Sequence, residues 1–174
     1  MKRLIIFLLC ISSFQSFSQD LIYEHGSIDF GLGAVISVGL QEEVGFDIRF
    51  QYTSSNKKTT YIAEYNRFFI KELENTEVYN EFGISYNVRL IHWEGLSITG
   101  GVGYVGNDYE VLSRAEDTSS LFFSTGNFNH AAALKLRGLY NITTPIHIFV
   151  ELNLKSFGKR YDTVIFGLTY SLGI

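Results

Sequence analysis

The stretch Val164-Ile-Phe-Gly-Leu-Thr-Tyr-Ser-Leu-Gly-Ile174 decides the fold. In an extended chain successive side chains point to opposite faces. Val164, Phe166, Leu168, Tyr170, Leu172 and Ile174 then share one face. Gly167, Thr169, Ser171 and Gly173 share the other, where Ile165 is the apolar exception. A helix, turning every 3.6 residues, would mix the two sets. The stretch reads as a strand with one apolar and one polar face.

The same period of two recurs upstream in Ile28–Val38, Val44–Tyr52, Thr59–Phe69, Phe82–Leu90, Leu96–Tyr104, Phe128–Tyr140 and Ile146–Leu154. With the terminal stretch this gives eight candidate strands, each bounded by turn-type residues. Composition agrees: the 174 residues include 16 Gly, 11 Tyr and 15 Phe but one Pro. Aromatic residues suit a pleated surface, and Pro would break a ladder.

Which face is wet follows from counting. The apolar faces together offer far more large side chains than an eight-stranded interior can hold. The polar faces instead carry small residues, among them Gly31, Gly33, Gly45, Gly83, Gly101, Gly103 and Gly167. Their charges also balance, with Asp29, Asp47, Glu64, Glu81 and Glu151 against Arg49, Arg89, Lys135, Arg137 and Lys155. Buried charges need partners, whereas a face in water needs no such match. The expectation is an all-β, eight-stranded antiparallel up-and-down transmembrane β-barrel, with those ten residues as a charge network in its lumen.

The first residues are read separately. Lys2 and Arg3 precede the apolar run Leu4–Ile11, and polar residues with Ser16 and Ser18 follow, as in a cleavable secretory signal. The run is well short of the roughly 20 residues a spanning helix needs. The expected organisation is signal peptide 1–18, a periplasmic lead-in 19–26 and a barrel 27–174. Losing Lys2 and Arg3 takes the formal charge from −4 to −6 and removes Cys10, the one cysteine, so the mature chain can form no disulfide.

Connection lengths fit. Both termini of an outer-membrane barrel are periplasmic, with short periplasmic turns and longer outer loops. The turns Thr53–Lys58, Ile91–Gly95 and Asn141–Pro145 are short, and the longest connection, Val105–Asn127, falls on the outer side. Tyr52, Tyr61, Trp93, Tyr140 and Tyr170 gather toward the inner edge. Phe46, Phe68, Phe69, Phe82, Tyr104, Phe128 and Phe166 gather toward the outer edge. Such aromatic girdles mark the two membrane interfaces.

On strand count, loop parity and the terminal strand, the chain from about Ile28 to Ile174 resembles the small eight-stranded outer-membrane barrels of Gram-negative bacteria, the OmpA transmembrane domain and OmpX type. The resemblance implies residence in the cell envelope, in the outer membrane, after signal cleavage. It implies contact with outer-membrane lipid and lipopolysaccharide, and engagement of the assembly machinery by the last strand. The chain ends at that strand, so no periplasmic peptidoglycan-binding domain is expected. A structural or surface-interaction role follows, with a small pore of the porin type, a secreted lipocalin-like carrier or a lipid-modifying enzyme as alternatives.

No motif sharpens this into chemistry. Gly101-Val-Gly103-Tyr-Val-Gly106 matches GxGxxG, but a polar loop follows it, where a phosphate-binding site needs a helix. His25, His92, His130 and His147 are scattered without metal-ligand spacing. His130, with Ser124 and Glu116 nearby, is read as an interfacial residue, because nothing fixes a nucleophile and an orienting acid beside it. No catalytic residue, metal or cofactor is expected, and a net-acidic chain is no nucleic-acid binder. In the outer connections the acids, from Glu42 and Glu43 to Asp162, outnumber the bases and are read as a solvated rim. Tyr109, Phe122 and Phe123 in the longest connection are the candidate contact anchors for a surface partner.

Overall fold

The computed structural model describes residues 26–38, 43–56, 58–71, 76–109, 123–125, 128–143, 145–157 and 161–173. The expected signal peptide, residues 19–25 of the lead-in, Phe122, Glu116 and Ile174 lie outside them. The strands are β1 Ser27–Ser37, β2 Glu43–Thr53, β3 Thr59–Lys71, β4 Thr76–Trp93, β5 Leu96–Asn107, β6 Phe123–Thr125, β7 Phe128–Thr143, β8 Ile146–Lys155 and β9 Thr163–Gly173. Each pairs antiparallel with its neighbour, β5 pairs with β7, and β1 closes on β9. β6 is a three-residue hairpin arm on β7. The staves are thus eight, and the barrel is all-β and closed.

Register fixes the faces. Leu32 lies opposite Leu168 on one side and Ile48 on the other, and Asp29 lies between Ser171 and Gln51. A slip of one residue would turn every side chain to the opposite face. The polar set is inside: Arg49 is 1 % exposed and Glu151 0 %, while Leu32 is 63 % exposed and Trp93 64 %. Glycines thin the wall where long charged side chains must fit. A Cβ on Gly31 would sit 2.5 Å from Arg49 Cγ, and one on Gly83 would sit 2.6 Å from Glu64 Oε1.

β4 is longer than its alternation suggests. Its outer end, residues 76–81, continues the ladder with β3. Near the inner end the register shifts between Arg89 and Ile91, and the neighbours Leu90 and Ile91 are both exposed. A bulge of this kind re-aims side chains and ends the alternation, so the pattern stops short of the strand. Beyond it Ile91–Trp93 pairs with Leu96–Ile98, and the connection contracts to Glu94-Gly95, with φ of 37° and 87°. Two positive φ values suit a two-residue hairpin turn, whose twist matches that of its strands.

Candidate functional site: the charged lumen and its cover

Alternation along β2, β3, β7 and β8 delivers six ionised side chains to one level of the interior. Arg49 is the hub. Its Nε donates to Asp47 Oδ1 at 2.6 Å, and one Nη donates to Glu151 Oε2 at 2.9 Å. Glu64 lies 3.8 Å from its other Nη. Lys135 Nζ bridges Glu64 at 2.5 Å and Glu151 at 3.4 Å, and Arg137 Nε is 3.9 Å from Glu151. Three carboxylates meet three cations with almost no exposure, the arrangement a low-dielectric interior demands. Both guanidinium groups also lie over the Phe149 ring, Arg49 at 4.1 Å and Arg137 at 4.8 Å from its centroid. Desolvated cation–π contacts of this kind contribute roughly 2 kcal/mol each.

Below the hub, toward the short turns, Asp29 is held by neutral groups: the Gln51 amide and the Ser171 hydroxyl both donate to it. Arg137 in turn donates to Gln51. Above the hub Lys155 Nζ donates to Glu81 at 2.6 Å, and Asn66 also donates to Glu81 at 3.3 Å. Of the ten charges expected inside, nine are buried. Arg89 is half-buried at the inner end and takes no part in the central cluster, because the bulge that follows it ends the lumen-facing row.

An aromatic cover closes the outer mouth. Phe68 and Tyr79 stack at 4.6 Å, Tyr79 and Tyr109 at 4.8 Å, and Tyr161 meets both Tyr109 and Phe157 edge-on. The Tyr79 hydroxyl donates to Glu43 at 2.7 Å. Three expectations change here. Tyr109, proposed as an outward contact, is 5 % exposed. The Asn129 amide donates to its carbonyl at 2.9 Å and Asn107 accepts from its N–H, turning the chain inward. Phe68 belongs to this cover and not to the outer girdle. Glu43 is a buried mouth residue and not part of the solvated rim.

With both hub and cover filled by side chains, the barrel should pass no resolvable unitary current in a planar bilayer. Stable ohmic steps from purified protein would show that the packing opens.

No family model matches the chain, and no curated protein matches it. Solved structures do. Ail, the attachment invasion locus protein of Yersinia pestis, in complex with the heparin analogue sucrose octasulfate, superposes with a TM-score of 0.53 at 15% identity, over 85% of this chain and 98% of that one. The backbone structure of Ail in a phospholipid bilayer nanodisc gives 0.51 at 16% identity, over 85% and 99%. The chain has the fold of the small eight-stranded outer-membrane barrels.

In this outer-membrane fold the other sequence features find plain places. The GxGxxG glycines lie within β5, as strand residues. His130 shares a hydrogen bond with Tyr104 and lies edge-on to Phe128, in the outer aromatic row. Ser124 pairs with Asn129 through the β6 hairpin, one register step from His130. Phe123 sits in β6 opposite His130. Among the described residues no group of three or more His, Cys, Asp or Glu could hold a metal ion. Lumen members that charge counting missed include Gln51, Asn66, Phe149 and Ser171, which strand parity places on the charged face.

Proposed function

We propose that the protein is an integral outer-membrane barrel, exported by removal of residues 1–18, with a structural or surface-interaction role and no catalysis. The observation that carries this reading is the inversion of faces. A belt of Leu, Ile, Val and aromatic side chains looks outward, while nine of the ten charged side chains expected in the lumen are buried. In water such a belt would drive aggregation, and in hydrocarbon it needs no cover. Tyr52, Tyr61, Trp93 and Tyr170 at one end, and Phe46, Phe82, Tyr104 and Phe166 at the other, are exposed where interfacial girdles belong.

The short turns then face the periplasm and the long β5–β7 connection faces outward. That connection, with Phe122 and Phe123, presents the surface for a partner, against lipopolysaccharide in the outer leaflet. The last strand engages the assembly machinery. Purified protein should need detergent to stay monomeric, migrate differently on gels before and after boiling, and fractionate with the outer membrane. Recovery as a detergent-free monomer from periplasm or medium would support the carrier reading instead. An unchanged lipid A mass spectrum on expression separates this role from a lipid-modifying enzyme.

A further inference from the structure

One ionised side chain stands on the outward, greasy face of the wall. Arg67 lies toward the outer end of β3 between Tyr65 and Phe69, and register sets it between Phe46 of β2 and Asn80 of β4. It is exposed, and among the described outward-facing side chains of the strands it is the one Lys or Arg. Its polar neighbours are already matched to one another. The Tyr65 hydroxyl donates to Asn80 Oδ1 at 2.6 Å, and Asp108 accepts from the Asn80 N–H at 2.6 Å and from its amide nitrogen at 2.8 Å. Arg67 takes no part in that chain, and no described residue pairs with its guanidinium. Rings crowd its stem: the Phe46 centroid lies 6.2 Å from that of Phe69 and 6.3 Å from that of Tyr65.

We propose that Arg67 holds a phosphate of a phosphorylated glycolipid in the outer leaflet, whose sugar and acyl chains lie against Phe46 and Phe69. The inference rests on the membrane reading above and gives its lipid contact a residue. Depth selects the partner. An outward Arg is costly at the bilayer midplane and nearly free at an interface, and Arg67 stands among the rings of the outer girdle, at headgroup level. Chemistry selects it again. A planar guanidinium presents a fork of N–H donors that suits a phosphate, and here that fork has no protein acceptor. Asp108, the nearby acid, is engaged by Asn80. A second copy would have to bring a carboxylate to this depth, and the outward faces of the strands carry no Asp or Glu among the described side chains.

Native mass spectrometry of the detergent-solubilised barrel with bis-phosphorylated lipid A tests the site. The wild-type barrel should retain one lipid A, and should hold the dephosphorylated form about tenfold less tightly. Arg67→Gln should weaken retention about tenfold, and Arg67→Lys about threefold, because lysine keeps the charge without the fork. Lys58→Gln, which removes an exposed cation from the turn before β3, should change nothing. Heat-modifiable migration of each variant checks that the barrel is intact. Equal retention by wild type and Arg67→Gln would overturn the proposal while leaving the membrane reading in place. Phosphatidylglycerol held as tightly as lipid A would overturn it too, in favour of any anionic lipid. A lipid-free wild-type dimer that becomes monomeric on Arg67→Gln would overturn it in favour of a second copy. A wild-type protein that is monomeric without detergent would sink the membrane reading itself.

Discussion

Replacing Glu151 with Leu should destabilise the barrel by about 3–5 kcal/mol, the cost of breaking a buried pair from one side. Glu151 is fully buried and is the carboxylate that Arg49, Lys135 and Arg137 share. Without it the cluster holds three cations against Asp47 and Glu64, and a net buried positive charge remains. Glu151→Gln keeps the volume but not the charge, and should cost nearly as much. Pairing Glu151→Leu with Lys135→Met removes the excess cation and should recover at least half the loss, since matched apolar replacements of buried ion pairs are often tolerated. Urea unfolding in lipid vesicles, followed by the gel shift, measures each difference. A Glu151→Leu barrel within 1 kcal/mol of wild type would show that the network contributes little to holding the fold.

The second large effect concerns the outside. Leu168 is 51 % exposed at the middle of β9, opposite Leu32 and Ile148, themselves exposed at mid-height. In a water-soluble protein Arg at such a position is harmless or improves solubility. In a bilayer Leu168→Arg should cost about 2–4 kcal/mol, while Leu172→Arg, near the inner girdle, should cost about 0–1 kcal/mol. The gradient with depth is the signature, because no soluble fold produces it. Equal, small effects at both positions would contradict a hydrocarbon environment for this belt.

Strand number and the choice of inner face could be read from the chain because both follow from a period of two, which each residue reports independently. Charge balance was a weaker guide, since Arg89 is half-buried at the inner end and Glu43 lies inside, leaving six buried acids against four buried bases among the described residues. Features set by a single local departure were hidden. The bulge beside Leu90 shows only as two adjacent apolar residues, indistinguishable from noise. Tyr109 follows the last paired residue of β5, so alternation no longer dictates its direction, and the Asn107 and Asn129 side chains that turn it inward act through contacts made after folding. Phe149 and Phe68 occupy lumen positions by parity, but rings there look anomalous until the guanidiniums over Phe149 and the Lys155 ammonium near Phe68 are seen.

The seam between β1 and β9 has a consequence for biogenesis. It joins the earliest stave to the last, Ile28 opposite Leu172, so all eight staves must be made before it can form. Until then two long rows of unsatisfied amides and carbonyls remain open, along with the entire greasy exterior. A nascent chain short of its final stave is therefore a client for holding chaperones, and loss of that stave alone should divert the product to proteolysis.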